Sequence, residues 1–509
     1  KSLDEVDLEQ LISEVDRDRE LIAKILRGEA SLQLKDPVKS CLLVVESPNK
    51  ARTIARFFGK PSKRRIGSLT LYEVSTGDKV LGIVASGGHV FDLAIGVGLH
   101  GVLVNDGEIT PVYAPITRCR RCGESYTEPR DVCPKCGGKN FENKLDIIQQ
   151  LRGVAGEVDI VYIGTDADSE GEKIGWDIAQ ALSPYTSQIR RIEFHEITRR
   201  AILEALNSPR EIDMRLVGAQ LVRRVEDRWI GFTLSQKLWR RFNRYELSAG
   251  RVQTPVLGWV IRRTEESRRS VMEHYEITLE NGLKFVVKKP RQTRREIEEF
   301  TEKLKQSTFT VEVVEESSVE VKPPPPYTTD TMLREAHAAL KIGVEAIMRL
   351  AQDLFETGLI TYHRTDSTRV SHVGMAIARE YIQERFGEKL YKGRPWAIGE
   401  EGAHECIRPT RPLDVDRLKE MISLGTLRLA KRLTRQHFAL YALIFRRFMA
   451  SQMKPAKALK QKITIRNEEL GIEETKEGYV ELTEPGFTLI KPIRLTPKAE
   501  QGEIRVSEV

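Results

Sequence analysis

Ile160-Val-Tyr-Ile-Gly-Thr-Asp166-Ala-Asp168-Ser-Glu170-Gly-Glu172 runs from an apolar segment straight into four acids. Its first four residues are all β-branched or aromatic and read as a strand buried on both faces, ended by the glycine that follows. An extended backbone leaving that strand sets residues two apart on one side, so Asp166 and Asp168 converge. Paired carboxylates at the carboxyl edge of a parallel sheet suit Mg²⁺, which takes one or two of them and leaves its other positions to water and phosphate oxygens. The competing reading is a solvated acidic loop opening a helix. Glu46 weighs against it. Cys41-Leu-Leu-Val-Val45 is a second buried-strand run that ends at this acid, and Pro48–Phe58 then reads as a helix with proline in its first turn. Lys50 lies one helical turn beyond Glu46, although such a lysine taken alone is more often solvated.

Moving outward, the apolar run Val80–Ala85 continues a β-α alternation and predicts an α/β domain with a parallel sheet. The alternation is interrupted by Cys119-x2-Cys122 and Cys133-Pro-Lys-Cys136-Gly-Gly138. Two such knuckles give the ligand count and spacing of a closed Cys₄ zinc site, and four unrelated thiols would rarely fall into that spacing. A closed tetrahedral site leaves no position for water, so Zn²⁺ there folds the insertion or presents it to DNA. Residues 198–242 read as mostly helical, with Thr198 as a cap and Asn207-Ser-Pro209 as a divide. Asn281-Gly282 between Tyr275–Leu279 and Phe285–Val287 predicts a hairpin. Strands over Phe309–Val314 and Val319–Val321 stop at Pro323–Pro326, where a new unit begins. Helices are expected over Thr328–Thr357 and on to about Gln452, and residues 460–509 return to alternation, so the β-rich region draws on two distant stretches.

Leu359-Ile-Thr-Tyr362-His-Arg364-Thr-Asp366-Ser-Thr368 is a short apolar strand ending in a polar cluster. A strand tyrosine is usually core. A phenol with a pKa near ~10 is a poor nucleophile unless cations stabilise its anion, and Arg364 can serve. His404 and Arg408, in Gly402-Ala-His-Glu-Cys-Ile-Arg-Pro409, could add donors or be structural.

The 509 residues, 40% hydrophobic and 30% charged, predict a multidomain globular chain, and a net charge of +7 favours a polyanionic partner only where the bases cluster. No run reaches the ~18 uninterrupted apolar residues of a membrane span, and no apolar segment of a signal peptide follows the charged start, which predicts a cytoplasmic location. Residues 3–26 read as an amphipathic helix, and Lys1 in place of Met predicts a fragment or one part of a larger protein.

Together these motifs resemble the type IA topoisomerases. Leu43-Val-Val-Glu46-Ser-Pro-Asn-Lys50-Ala looks like the opening of their Toprim domain, Thr165–Glu172 like its acidic motif, and Leu247-Ser-Ala-Gly-Arg-Val-Gln-Thr254 and Leu359–Thr368 like two further signatures, all in the family's order. Within that family the zinc insertion and Glu170-Gly-Glu-Lys-Ile-Gly-Trp176 are most similar to the reverse gyrases. The resemblance implies Tyr362 as nucleophile, with Glu46, Lys50, Arg364 and His404 assisting. It implies Mg²⁺ at Glu46, Asp166, Asp168 and Glu170, and contacts to single-stranded DNA from Arg223, Arg224, Asp227, Arg228, Ser248, Arg251, Gln253, Asp366 and Arg408. It further implies an amino-terminal helix and linker over 1–37, a Toprim domain over 38–205 with its zinc ribbon at about 115–140, and a helical DNA-binding domain over 206–265. A β-rich hinge over 266–325, a tyrosine domain over 326–435 and a return over 436–509 would complete a toroid. Ala167 and Ser169 stand where many relatives have Pro and Arg. No Gly-x4-Gly-Lys-Ser/Thr loop occurs, so positive supercoiling would need an ATP-driven helicase-like half on this or another chain. No Gly-Arg-Pro-Ser-Thr motif precedes Val509, so an incomplete DNA-binding part is expected. The alternatives are a Toprim nuclease or primase, which needs no tyrosine, and a zinc-ribbon DNA-binding module without topoisomerase activity.

Overall fold

Strands Lys39–Val45 and Ile160–Ile163 lie parallel, Cys41 opposite Ile160 and Val44 opposite Ile163, at the centre of a six-stranded sheet. The computed structural model describes residues 8–30, 38–397 and 405–509. Across the sheet the order is Ile189–Arg191, Ile160–Ile163, Lys39–Val45, Lys79–Ala85, Leu69–Ser75 and Ser62–Ile66. The first four strands are parallel, as the apolar runs predict, and the last two form an antiparallel edge that the sequence reading did not anticipate.

Alternation along Lys39–Val45 feeds two cores, since neighbouring side chains in a strand point to opposite faces. Leu42 and Val44 pack with Ile147, Leu151, Ile174 and Ile178 of helices Lys144–Ala155 and Ser169–Leu182. Cys41, Leu43 and Val45 pack on the other face with Ile54 and Ile202, and that core continues without a break into Leu354, Phe355, Leu359, Ile360 and Tyr362. The tyrosine-bearing helices therefore sit directly on the sheet, sharing its core.

The cysteine insertion is a three-stranded antiparallel ribbon of Ser125–Tyr126, Thr117–Cys119 and Phe141–Asn143. The 29-residue helix Met214–Phe242, capped by Asp213, lies against Ser169–Leu182, with Ser169 Oγ 3.5 Å from Gln220 Oε1. Helix Gln253–Arg269 follows and buries none of its residues, leaving Trp259, Val260 and Ile261 exposed.

A second six-stranded sheet orders Lys284–Pro290, Met272–Leu279, Gly502–Glu508, Thr308–Val321, Ala456–Asn467 and Ile472–Glu484, all antiparallel. The Asn-Gly hairpin forms as predicted, and two distant stretches do build one sheet. The two strands expected over residues 309–321 are one strand with a bulge between Val313 and Glu315. The helical unit that carries Tyr362 enters after Val321 and leaves at Ala456, and those two residues pair at the last rung of the ladder. The whole unit thus hangs from two adjacent strands as from a neck. Among the described residues no helix is long and apolar enough to cross a membrane.

Candidate active site

Glu46 and Asp166 follow neighbouring parallel strands and meet where their carboxyl ends emerge. The backbone N–H of Asp166 donates to Glu46 Oε1 at 2.9 Å. Lys50, fully buried on helix Pro48–Arg56, bonds the Asp166 carboxylate and lies 3.9 Å from Glu46 Oε2. Burial opposes the Lys50 charge, but Asp166 and Glu46 outweigh it and hold its pKa above the usual value. Burial also pushes Glu46 up, to about 7, with the negative charge of Asp166 adding to the effect and Lys50 opposing it. A carboxyl poised there can hold or release a proton at neutral pH.

Asp168 faces differently from Asp166. It caps helix Ser169–Leu182, accepting from Gly171 N at 2.7 Å, and its other oxygen accepts from the Tyr362 hydroxyl at 2.5 Å. Both aspartates line one cavity, but each carboxylate has its own partner. Tyr362 is 3% exposed, and its pKa is held well above the usual value by burial and by Asp166 and Asp168. Arg364 Nη1 lies 3.7 Å from Asp168 Oδ2 and 3.2 Å from Glu170 Oε2. Glu170 also accepts from His89 Nε2 at 2.9 Å, and this bond above all, opposed by burial and helped by Arg364, lowers its pKa to about 2. His363 is buried behind Tyr362 and is kept neutral, its pKa pushed down to about 4 by burial and by Arg364. A cavity of about 360 Å³ opens onto Glu46, His89, Asp168, Glu170, His363 and Arg364. A larger one, about 1110 Å³, lies elsewhere among helices His372–Phe386, Val415–Ser423 and Arg435–Ser451 and touches none of these residues.

Tyr362 reaches Asp168 because its segment is stitched to the sheet unit. Its N–H donates to His195 O at 2.8 Å, Thr361 bridges Glu196, and Ile360 bridges Pro409. The strand expected at Leu359–Tyr362 is thus a pair of isolated bridges. Arg408 differs from its expected role as a DNA contact. It is 1% exposed, with Nε 2.6 Å from Glu405 Oε1 and Nη2 2.9 Å from Glu196 Oε2. Glu405 holds it within its own unit, and Glu196 ties that unit to the sheet unit. His404 falls outside the described residues.

The remaining basic candidates lie on and beyond helix Met214–Phe242. Arg224 bonds Asp92, and Arg228 lies 3.7 Å from the same carboxylate. Arg251 lies 3.1 Å from Asp227 and 3.5 Å from Glu226, and Gln253 is 3.5 Å from Ser248. Arg223 and Asp366 are exposed. The sequence reading missed His89 and the fully buried Arg191, whose Nη2 holds Asp166 O at 2.8 Å and whose Nε holds Glu172 at 3.0 Å. Ser86-Gly-Gly-His89 directly after an apolar run was the available signal for His89.

The sulfur atoms of Cys119, Cys122, Cys133 and Cys136 lie within 4.8 Å of one another and could hold a metal ion, the only such cluster of three or more ligands among the described residues. The site acids do not form a closed cage of that kind. Their hard oxygen donors nevertheless fit an ion that needs only one or two carboxylates.

A family model described as DNA topoisomerase matches residues 211–508, and a Toprim domain model matches residues 41–197. The chain is 51% identical to the reverse gyrase of Pyrococcus furiosus, covering 100% of this chain and 41% of that protein. It is 48% identical to reverse gyrase 1 of Aquifex aeolicus, over 100% of this chain and 41% of that one. The chain thus spans about two fifths of these curated relatives' length. Among solved structures, full-length topoisomerase I from Thermotoga maritima is similar with a TM-score of 0.63 and 30% identity, over 91% of this chain and 70% of that one.

Proposed function

This chain belongs to the type IA DNA topoisomerase family, and from that premise we propose that it cuts and reseals one DNA strand through a covalent bond to Tyr362. The observation that carries the reading is the Tyr362 hydroxyl at 2.5 Å from Asp168, on the sheet edge that also holds Glu46 and Lys50. A tyrosine brought by one unit to the acids of another is what strand cleavage needs, and a Toprim nuclease would not need it.

In the resting geometry the phenol is protonated and hydrogen-bonded. When a DNA phosphate enters, Arg364 offsets the charge on its oxygens, Lys50 adds positive charge from behind Asp166, and the phenol oxygen bonds to phosphorus as its proton passes to Asp168, which already accepts its hydrogen bond. The phosphorus–oxygen bond to the 3′ oxygen breaks. The products are a 5′-phosphotyrosine and a 3′-hydroxyl, with Glu46 delivering the proton to the leaving oxygen. Resealing reverses each transfer, so the same carboxyl then takes the proton back. The phosphotyrosine preserves the energy of the broken bond, so neither step consumes ATP. Asp168 and Glu170, with Glu46 and Asp166 close by, carry the oxygens that would hold Mg²⁺, which when bound supplies positive charge that keeps the DNA ends aligned. The four cysteines would hold Zn²⁺ in a closed structural site.

In the same proposal the helical unit at residues 206–265 offers Arg223, Arg224, Arg228 and Arg251 to single-stranded DNA, the last three trading their present carboxylate partners for phosphates. The units close into a ring that the second sheet lets open. Positive supercoiling, as in the reverse gyrases, would require an ATP-driven helicase-like half. The test is incubation with end-labelled single-stranded DNA and Mg²⁺ followed by denaturation. A protein–DNA adduct at Tyr362 on a 5′-phosphate supports the reading, and binding without any adduct overturns it for this chain.

A further inference from the structure

Lys144 is the first residue of helix Lys144–Ala155, immediately after the zinc-ribbon strand Phe141–Asn143, and it is 3% exposed. A helix-opening lysine is normally solvated, because burying an ammonium is costly unless every donor is matched. Here all three are matched: Nζ lies 2.8 Å from Glu142 Oε1, 3.1 Å from Gly87 O and 3.3 Å from Ser86 O. The two carbonyls belong to the turn that leads into the acidic centre. Gly87 and Gly88 have φ of +73° and +87°, a backbone that side chains rarely adopt, and a Cβ on Gly87 would stand 2.6 Å from the ammonium. The turn has two contacts with the site. Gly88 N donates to Glu46 O at 3.0 Å, and His89, the next residue, holds Glu170.

The other end of this chain of contacts is the cysteine cluster. Phe141 pairs with Cys119 and Glu142 with Arg118 in the ribbon, so the register that fixes Glu142 is set beside a thiol ligand. Lys144 N also donates to Ile116 O at 2.8 Å, tying the helix start to the strand that enters the ribbon.

We infer that Lys144 is a positioning residue that makes the geometry of the acidic centre depend on the folded, metal-loaded ribbon. The ribbon orders Glu142, Glu142 and the ribbon backbone fix Lys144, and the ammonium pins the Ser86–Gly88 turn that aims His89 at Glu170. The consequence for resealing rests on the function proposed above, whereas the coupling itself does not.

Two measurements on the full chain separate them. In hydrogen exchange the Ser86 and Gly88 amides, both hydrogen-bonded to the strand before Pro48, are slow in the zinc-loaded protein. Removing zinc with a chelator speeds them roughly tenfold or more, Lys144→Met does the same with zinc retained, and the two changes together add less than about twofold beyond either. Glu142→Gln, which keeps the lysine, gives an intermediate effect and guards against a Lys144→Met chain that fails to fold. Protection that survives zinc removal, or effects of metal and lysine that simply multiply, overturn the inference. In the second measurement Lys144→Met slows resealing about tenfold at unchanged affinity for single-stranded DNA. Wild-type resealing in a variant whose turn has loosened overturns the positioning role. An unmodified chain that forms no adduct would instead sink the proposed function, while the exchange result still judges the coupling.

Discussion

Burial, joined by the charges of Asp166 and Asp168, raises the pKa of Tyr362, so in the resting state it is a hydrogen-bond donor and not a nucleophile. Tyr362→Phe is expected to abolish the covalent adduct on denaturing gels while single-strand affinity, measured by fluorescence anisotropy, changes less than about tenfold. Glu46 gives a pH signature. In its proposed role as the acid of cleavage it must be protonated, so cleavage should decline as pH rises through about 7, whereas resealing should decline as pH falls below that value. In Glu46→Gln both limbs flatten in single-turnover pH profiles, and a cleavage limb unchanged near pH 7 would assign the proton to another group. The same carboxyl should affect folding. Its folded pKa of about 7 exceeds the ordinary 4.5, so the folded chain keeps a proton that the unfolded chain has released. Stability therefore falls as pH rises between those values, by about 3 kcal/mol at most, and thermal melts of Glu46→Gln should lack that slope. The acids, Lys50, Tyr362 and the cysteines were legible in sequence because each lies in a short motif with its own spacing. Arg408 and His89 were not, since their meaning resides in Glu196, 212 positions away, and Glu170, 81 positions away.

At the scale of single elements, the connection from helix Val344–Glu356 into the tyrosine segment turns at Gly358, whose φ is +74°. A Cβ there would stand 2.4 Å from Ile197 O, in the stretch that receives Thr361 and Tyr362. Gly358→Ala thus combines a disfavoured backbone with a clash against a carbonyl, and is expected to cost about 1–3 kcal/mol and displace the tyrosine from Asp168. A lower melting temperature together with reduced adduct yield would bear this out, and full adduct yield would show that the segment can shift without losing its register. Strong local chemistry made most elements readable: Pro48 in the first turn of its helix, Asn281-Gly282, and the buried runs of the central sheet. Helix Arg294–Lys305 went unread although Thr293 and Glu296 form a capping box. Its charged sequence offers few apolar residues to define a face, and only Phe300 and Leu304 are buried. The segment at Leu359–Tyr362 has strand composition but finds partners only at isolated bridges, because its neighbours come from two distant parts of the chain.

For the whole molecule, the two units that would separate in the proposed strand passage are joined by three kinds of contact. They share an apolar core, they exchange backbone hydrogen bonds at Thr361 and Tyr362, and they pair side chains: Tyr362 with Asp168, Arg364 with Glu170 and the buried Arg408 with Glu196. Opening at the neck between Val321 and Ala456 breaks all three while leaving the rest of the ladder intact. Glu196→Gln removes the cross-unit charge but leaves Arg408 its Glu405 partner, so the tyrosine unit should stay folded. Removing one partner of a buried pair costs about 3–5 kcal/mol, so even part of that loss should raise the open population tenfold or more, read as a change in distance between dyes on the two units. An unchanged population would mean that the shared core and the remaining polar contacts suffice to hold the units together.

The neck also dictates an order of assembly. Strand Thr308–Val321 has two neighbours, Ala456–Asn467 and Gly502–Glu508, and both are encoded after the tyrosine unit. A chain emerging from the ribosome therefore carries this 14-residue strand with both edges bare while more than a hundred further residues are made. Bare edges pair with whatever strand is nearby, including one from another copy. The bulge at Val313–Glu315 and the charged residues along the strand blunt that tendency. Closure of this sheet is the late event of folding, and synthesis slowed within residues 326–455 should raise the aggregated fraction more than an equal pause once strand Gly502–Glu508 has begun.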